Sequence, residues 1–272
     1  MTLRINRDTR LCMSLSARPG NFGTRFQNYL YEALDLDYVY KAFSTRDLAG
    51  AITGIRALGI RGCAVSMPFK EACIPMLDGL EPSAAAIDSV NTIVNDDGVL
   101  RGYNTDYSAV AALIAASGLA VTTPVALRGS GGMAKATACA LRDAGFCNGH
   151  VVARNAVAGQ RLARRTGWAW SADMDGIAAG LLVNVTPIGM EGGAEARQLA
   201  FTDQHIAAAH LVFDVVALPP ETPLVQLARA LGKPVITGGQ VVVLQAVEQF
   251  VLYTGVRPDD ALIERAAAHA LG

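Results

Sequence analysis

Lysine is scarce in this chain: Lys41, Lys70, Lys135 and Lys233 are the only four among 23 basic side chains. Lys70 closes the run Ala64-Val65-Ser66-Met67-Pro68-Phe69-Lys70, just after a strand-like apolar stretch, where a parallel sheet presents its carboxyl edge to ligands. A partly desolvated ammonium can give up its proton near neutral pH, which a guanidinium cannot, so Lys70 is a candidate general acid or base. Asp106, in Tyr103-Asn104-Thr105-Asp106, sits near the start of a helical segment, where negative charge is favourable. Asn91, in Val90-Asn91-Thr92, adds a neutral donor and acceptor. Singly, these three read equally well as a solvated lysine, a helix N-terminal carboxylate and a turn or capping residue. Together they are the groups that grip vicinal hydroxyls and move a proton.

A second cluster is built of glycine. In Val125-Ala126-Leu127-Arg128-Gly129-Ser130-Gly131-Gly132-Met133-Ala134 an apolar strand runs into a helix through Gly-x-Gly-Gly, with Ala134 where a third spaced glycine would fall. Glycine lets the backbone turn tightly and approach a pyrophosphate, and the amides of the following helix face its charge. An ordinary tight turn has the same composition, but its place at the head of a βαβ unit favours a dinucleotide. The next strand ends Val152-Ala153-Arg154-Asn155 without a carboxylate. Arg154 therefore points to NADP, whose 2'-phosphate a guanidinium can pair with.

The elements that must position these groups alternate along the chain. Expected strands are Thr9 to Leu15, Tyr38 to Phe43 and Gly62 to Val65, separated by a helix from Phe22 to Leu34 and another carrying Leu48, Ile52, Ile55 and Leu58 on one stripe. A hairpin follows, Val90 to Val94 and Val99 to Tyr103 about the turn Asn95-Asp96-Asp97-Gly98. After a helix from Thr105 to Ala116, capped by Thr105 or Asn104, strands are expected at Val125 to Leu127, His150 to Ala153, Leu181 to Val185, Leu211 to Val215 and Pro234 to Ile236, with helices at Met133 to Ala144, Ala158 to Thr166 and Leu224 to Leu231. The last helices run from about Gln240 to Tyr253 and Pro258 to Ala270. The fold class is α/β in two domains, an N-terminal mixed or largely parallel substrate domain and a Rossmann-type NADP-binding domain. The expected division is 1–105, 106–238, and 239–272 returning to the first domain, with a cleft between the two.

Composition narrows the function. The 272 residues are 51% apolar and 17% charged with a net charge of -1, which argues against a dedicated nucleic-acid binder. No apolar run approaches the roughly 20 residues of a membrane span, and the arginine-bearing start lacks a secretory core, so the expectation is a cytoplasmic protein, monomer or homodimer, with no nucleic-acid or membrane partner. Five scattered cysteines without a CxxC pair read as buried small hydrophobes, and no metal site is expected.

With these motifs in order, the chain resembles the shikimate dehydrogenase family, and more closely its divergent shikimate dehydrogenase-like branch. The family's Asn-Val-Thr-x-Pro-x-Lys stands here as Ala64 to Lys70, Val-Asn-Thr as Val90 to Thr92, and Gly-x-Asn-Thr-Asp as Gly102 to Asp106. Asn-x-Thr-Pro-x-Gly-Met is Asn184 to Met190, and Gly239 to Ala246 matches the segment whose second glutamine, here Gln245, touches the substrate. The resemblance implies an NADP-dependent dehydrogenase of shikimate or a related hydroxylated ring acid, with Lys70 and Asp106 as the catalytic pair. It assigns Ser14, Ser16, Ser66, Asn91 and Gln245 to the substrate. To the cofactor it assigns Gly129, Ser130, Gly131, Gly132, Met133, Arg154, Asn184, Thr186, Met190 and Gly238.

Departures cluster where the substrate would lie. Ala64 replaces the family Asn, Ser66 its Thr, and Ala217 its Tyr; Gln27-Asn28 stands for His-Asn, with Arg18-Pro19-Gly20 intervening. Arg154 is kept, but a second basic residue nearby is missing. These changes leave two further readings: a dehydrogenase of quinate or another polyol acid, or an NADP-binding regulatory protein with weak catalysis.

Overall fold

Short apolar strands punctuated by glycine and polar turns build two separate sheets. A computed structural model describes residues 5–271, which divide into two units: the residues through Thr105 together with Val243 onward, and Asp106–Val242.

The first unit opens with β1 (Arg10–Leu15), α1 (Phe22–Ala33), β2 (Tyr38–Phe43), α2 (Leu48–Ala57) and β3 (Gly62–Val65). The three strands run parallel, as helical crossovers require. Asp47 caps α2 by accepting a 2.8 Å bond from the Gly50 amide. The stripe expected on this helix is one residue too long, because α2 ends at Ala57 and Leu58 is left 77% exposed. Next come the single-turn helix α3 (Phe69–Ala72), β4 (Gly79–Leu80), α4 (Pro82–Ala85), β5 (Thr92–Asp96) and β6 (Val99–Tyr103). The strand order is β2-β1-β3-β5-β6-β4, mixed because β5 lies antiparallel to both β3 and β6. The ladder runs to Asp96↔Val99, so the turn tightens to Asp97-Gly98, both at positive φ (50° and 91°), and Asn95 Oδ1 accepts from the Gly98 amide at 2.8 Å. A two-residue loop with left-handed residues matches the strand twist. Strand β4, too short to show a pattern, pairs parallel with β6.

The second unit is a parallel sheet. After α5 (Thr105–Ala116) come β7 (Val125–Arg128), α6 (Gly132–Asp143), β8 (Gly149–Val152), α7 (Ala156–Thr166), β9 (Ala169–Ser171) and β10 (Leu181–Asn184). Then follow α8 (Asp203–Ala208), β11 (Leu211–Asp214), α9 (Pro223–Ala230) and β12 (Val235–Thr237). The order β12-β11-β10-β7-β8-β9 reverses direction between β7 and β10, the doubly wound arrangement whose switch point forms a ligand crevice. Strands β10 and β11 are buried along their whole length, as expected of strands covered on both faces. Asn155 caps α7, and Gly167 ends it at φ +75°. The boundary between the units falls inside α10 (Gly238–Thr254), which α11 (Asp260–Leu271) follows.

In the first unit α11 packs on α1, burying Phe26, Leu30 and Tyr31 with Phe250, Tyr253, Leu262 and Ala266. Four cysteines are buried, but Cys147 is exposed in the loop before β8, contrary to its expected place in the core. Among the described residues no helix is long and apolar enough to cross a membrane.

Candidate functional site

A crevice of about 300 Å³ opens where β7, β8 and β10 end, lined by Arg128, the Gly129-Ser130-Gly131 turn, Arg154, Thr186 and their neighbours. Gly129 has to be glycine: its φ is +131°, and a Cβ there would lie 2.8 Å from Val185 Cγ2 and 3.0 Å from the Val185 carbonyl oxygen. Gly131 differs, because its φ of -81° suits any residue and nothing stands within 4 Å of a Cβ built there or at Gly132. The protein's own packing therefore does not demand glycine at Gly131. What its missing side chain preserves is open backbone at the head of α6, a 12-residue helix with no side-chain cap. Uncapped amides and the positive end of the helix dipole make this an anion site, and the open backbone fits a pyrophosphate. Ser130 and Met133 are half-buried, one in the turn and the other in the first turn of α6.

The far wall is shaped by a buried network. Asn184 has no exposed surface; its amide donates to the Ile188 carbonyl at 3.1 Å and to Asp214 Oδ1 at 3.0 Å. Its oxygen accepts from the Thr186 amide at 3.1 Å and the Thr186 hydroxyl at 2.6 Å. Asp214, also fully buried, takes further bonds from the Val216 amide at 3.1 Å and the Thr222 hydroxyl at 2.6 Å. Burial pushes its carboxyl above the ordinary carboxylate range, against the pull of these three donors. The geometry makes Asn184 a brace beneath the loop, while Thr186 is the member of that motif that lines the crevice. Met190, at the far end of the loop, is 42% exposed. Gly238 opens α10 against the backbone of residues 215 and 216, where a Cβ would come within 2.4 Å of the Val215 oxygen.

Arg154 stands largely in solvent, with Nη1 3.4 Å from Glu195 Oε1. The structure brings a second guanidinium to the same crevice. Arg128 ends β7, pairs in register with Val152, and donates from Nη1 to the Ala200 carbonyl. Burial first and the Arg154 charge second hold it below the usual arginine range. Neither Arg128 nor Glu195 stands out in the sequence. Arg128 adjoins the glycine turn, but its closeness to Arg154 follows only from strand pairing.

In the first unit, Ser14, Ser16, Ser66, Lys70 and Asn91 gather at one sheet edge. Ser14 pairs with Ala64 across β1 and β3, and the Ser66 amide donates to the Leu15 carbonyl at 2.9 Å. Ser66 is exposed, whereas Ser16 is buried and accepts from the Arg18 amide at 3.0 Å. Ser14 lies beside the buried Tyr40 phenol. The Val90 amide donates to the Lys70 carbonyl at 2.8 Å, which fastens the half-buried Lys70 beside Asn91. Asn91 Oδ1 accepts from the Thr105 amide at 2.8 Å and from the Thr92 and Thr105 hydroxyls at 2.8 and 3.2 Å. Asn91 thus caps α5, a role for which the sequence offered Asn104 or Thr105. With the oxygen engaged, its NH₂ has no protein partner among the described residues. The Thr105 hydroxyl also reaches Gln245 Oε1 at 3.4 Å, and Gln249, one turn further along α10, donates to Thr92 at 3.1 Å. Thr105 and Gln249 were not singled out from sequence, although the four-residue spacing of Gln245 and Gln249 puts both on one helical face. Asp106, second residue of α5, is half-buried.

Residues 22–93 match the family model of the shikimate dehydrogenase substrate binding domain. The shikimate dehydrogenase-like protein of Haemophilus influenzae is 57% identical over 266 residues, covering 98% of both chains. A solved shikimate 5-dehydrogenase-like protein superposes with a TM-score of 0.98 at 56% identity, over 99% of this chain and 100% of that one. The Thermus thermophilus shikimate 5-dehydrogenase, solved with NADP(H) and shikimate, gives 0.85 at 29% identity, over 96% and 99%. Quinate dehydrogenase from Corynebacterium glutamicum, solved with NAD, gives 0.87 at 28%, over 97% and 99%.

Proposed function

The chain belongs to the shikimate dehydrogenase family, and from that premise we propose that it is an NADP-dependent oxidoreductase interconverting shikimate and 3-dehydroshikimate or a closely related hydroxylated ring acid. The observation that carries this reading is the uncapped head of α6, opened by Gly131 and Gly132 and flanked by Arg154. NADP, held by the Gly129-to-Met133 turn, Arg154 and Thr186, supplies hydride transfer to and from the ring carbon. Asn184 and Gly238 act behind that surface by fixing the backbone of the loops, and Met190 lies at the end of the cofactor wall.

The remaining chemistry falls to the protein's own side chains. Lys70 Nζ takes the hydroxyl proton when the alcohol is oxidised, and returns it to the carbonyl oxygen on reduction, where its charge also stabilises the developing alkoxide. Asp106 orients that ammonium and a ring hydroxyl. The Asn91 NH₂, whose oxygen is already engaged, donates to a second hydroxyl, and Gln245 accompanies it. Ser14, Ser16 and Ser66 offer hydroxyls to the carboxylate and ring. On this reading 1–105 with the C-terminal helices is the substrate domain and 106–238 the nucleotide domain of a cytoplasmic enzyme, monomer or homodimer.

The departures at Ala217, Ala64 and the Ser14-to-Asn28 segment favour a second reading, in which quinate or another polyol acid is the better substrate. Steady-state reduction of NADP and NAD across shikimate, quinate and related acids tests both. Activity confined to shikimate supports the first, and higher kcat/KM on another acid supports the second. Tight NADP binding without turnover of any acid would leave a regulatory NADP-binding protein.

A further inference from the structure

Arg128 is a charged side chain that the reading above leaves unused. It is half-buried at the end of β7, lines the crevice together with Arg154, and makes one protein hydrogen bond among the described residues, to the Ala200 carbonyl. That leaves four of the five N–H donors of its guanidinium for a ligand. Holding a second positive charge near Arg154 in a partly desolvated place is unfavourable unless an anion shares it. The anion now nearest is Glu195, 3.4 Å from Arg154 and itself mostly covered, with 26% of its side chain exposed. The sequence lacks the family's second basic residue close to Arg154, and strand pairing supplies one instead: Arg128 is in register with Val152, two residues before Arg154.

We propose that Arg128 is the second guanidinium of the 2'-phosphate site, and that Glu195 is a resident counterion which the phosphate displaces from Arg154. This rests on the NADP reading above. A phosphate carrying close to two negative charges neutralises the Arg128 and Arg154 pair more completely than one carboxylate does, and accepts several charged hydrogen bonds at once. A nucleotide with a free 2'-hydroxyl offers no such exchange, so it leaves the Arg154 to Glu195 pair in place. Selectivity for NADP then arises from two terms, attraction to two guanidiniums and release of a competing carboxylate.

The test is calorimetric titration of the intact protein with NADP, NAD, adenosine 2',5'-bisphosphate and ADP. Arg128→Gln should weaken NADP and the bisphosphate about 10- to 100-fold, the scale of one or two charged hydrogen bonds, while NAD and ADP change by less than about threefold. Glu195→Gln should tighten NADP by about threefold or more and leave NAD unchanged. Equal losses for NADP and NAD in Arg128→Gln would overturn the assignment, giving Arg128 to the adenine or to the fold. Weaker NAD binding in Glu195→Gln would also overturn it, because that carboxylate would then be reading the ribose hydroxyls. Should Arg128→Gln not fold, Arg128→Lys, which keeps charge but loses the fork, takes its place; an unchanged NADP to NAD ratio there, with NADP affinity unmoved in Glu195→Gln, refutes the proposal. A parent protein that binds no NADP refutes the cofactor reading itself, whereas a parent that binds NADP and is indifferent to Arg128 refutes this inference alone.

Discussion

Two glycines two residues apart should respond to the same substitution in opposite ways. Gly129→Ala places a methyl 2.8 Å from Val185 Cγ2 and 3.0 Å from the Val185 oxygen, at a φ of +131°. The backbone strain is worth about 1–3 kcal/mol and the overpacking a similar amount, so the fold should lose about 2–5 kcal/mol. Gly131→Ala meets nothing within 4 Å at φ -81° and only replaces glycine at the α6 N-cap, a change of about 1 kcal/mol or less. Its penalty should fall on binding, because the methyl stands where the backbone has to meet a pyrophosphate. Losing one or two charged hydrogen bonds there weakens NADP about 10- to 100-fold. Chemical denaturation and calorimetric titration of both variants separate the two effects. A Gly131→Ala protein that binds NADP like the parent would refute the anion site at α6, and an undiminished stability in Gly129→Ala would refute the strain argument.

Lys70→Met should lower turnover by about 100-fold or more with NADP affinity nearly unchanged, since it keeps aliphatic bulk and removes the proton-transfer group; a small loss in the folded variant contradicts that role. Asn91→Ala should destabilise the protein by about 1–3 kcal/mol in urea, because the Thr105 amide and two hydroxyls lose their buried acceptor; a change under about 0.5 kcal/mol would show that α5 does not depend on this cap. Asp214 carries a carboxyl raised from 3.8 by burial, so the folded state keeps its proton over a window in which the unfolded chain has lost it. The stability this group contributes is present below about pH 4 and declines as pH rises through the raised value. Asp214→Asn should remove that decline, and parallel stability profiles for parent and variant would contradict it. Ala217→Tyr restores at most one neutral hydrogen bond, so kcat/KM for shikimate should rise by no more than about tenfold; a larger gain in steady-state kinetics would show that the rebuilt Ser14-to-Asn28 segment is functionally silent.

Local patterns carried most of the secondary structure. Largely apolar runs of three to seven residues marked β1, β2, β3, β7, β10 and β11 to within a residue or two, most plainly in β10 and β11, where a strand buried on both faces needs a continuous apolar stretch. The hairpin was legible from the turn Asn95-Asp96-Asp97-Gly98, whose residue types tolerate the left-handed backbone that Asp97 and Gly98 adopt. Elements with little apolar signal of their own went unseen: β4 has two residues, β9 three, and α8 six.

The sequence by itself also offered the glycine turn, Arg154 and the ordered motifs around Lys70, Asn91 and Asp106 as candidates, since each is a short string that can be recognised without its distant partners. Tertiary structure decided what those residues touch. Asn184 looked like a cofactor ligand, but Asp214, 30 positions later, engages its amide under the loop. Asn91 became the cap of α5 because β5 places it against Thr105. Arg128, 26 positions before Arg154, reached the same crevice only through the register of β7 with β8. Backbone conformation follows short-range sterics and periodicity, whereas hydrogen-bond partners and charge neighbours are fixed by strand order and burial, which no local stretch of sequence encodes.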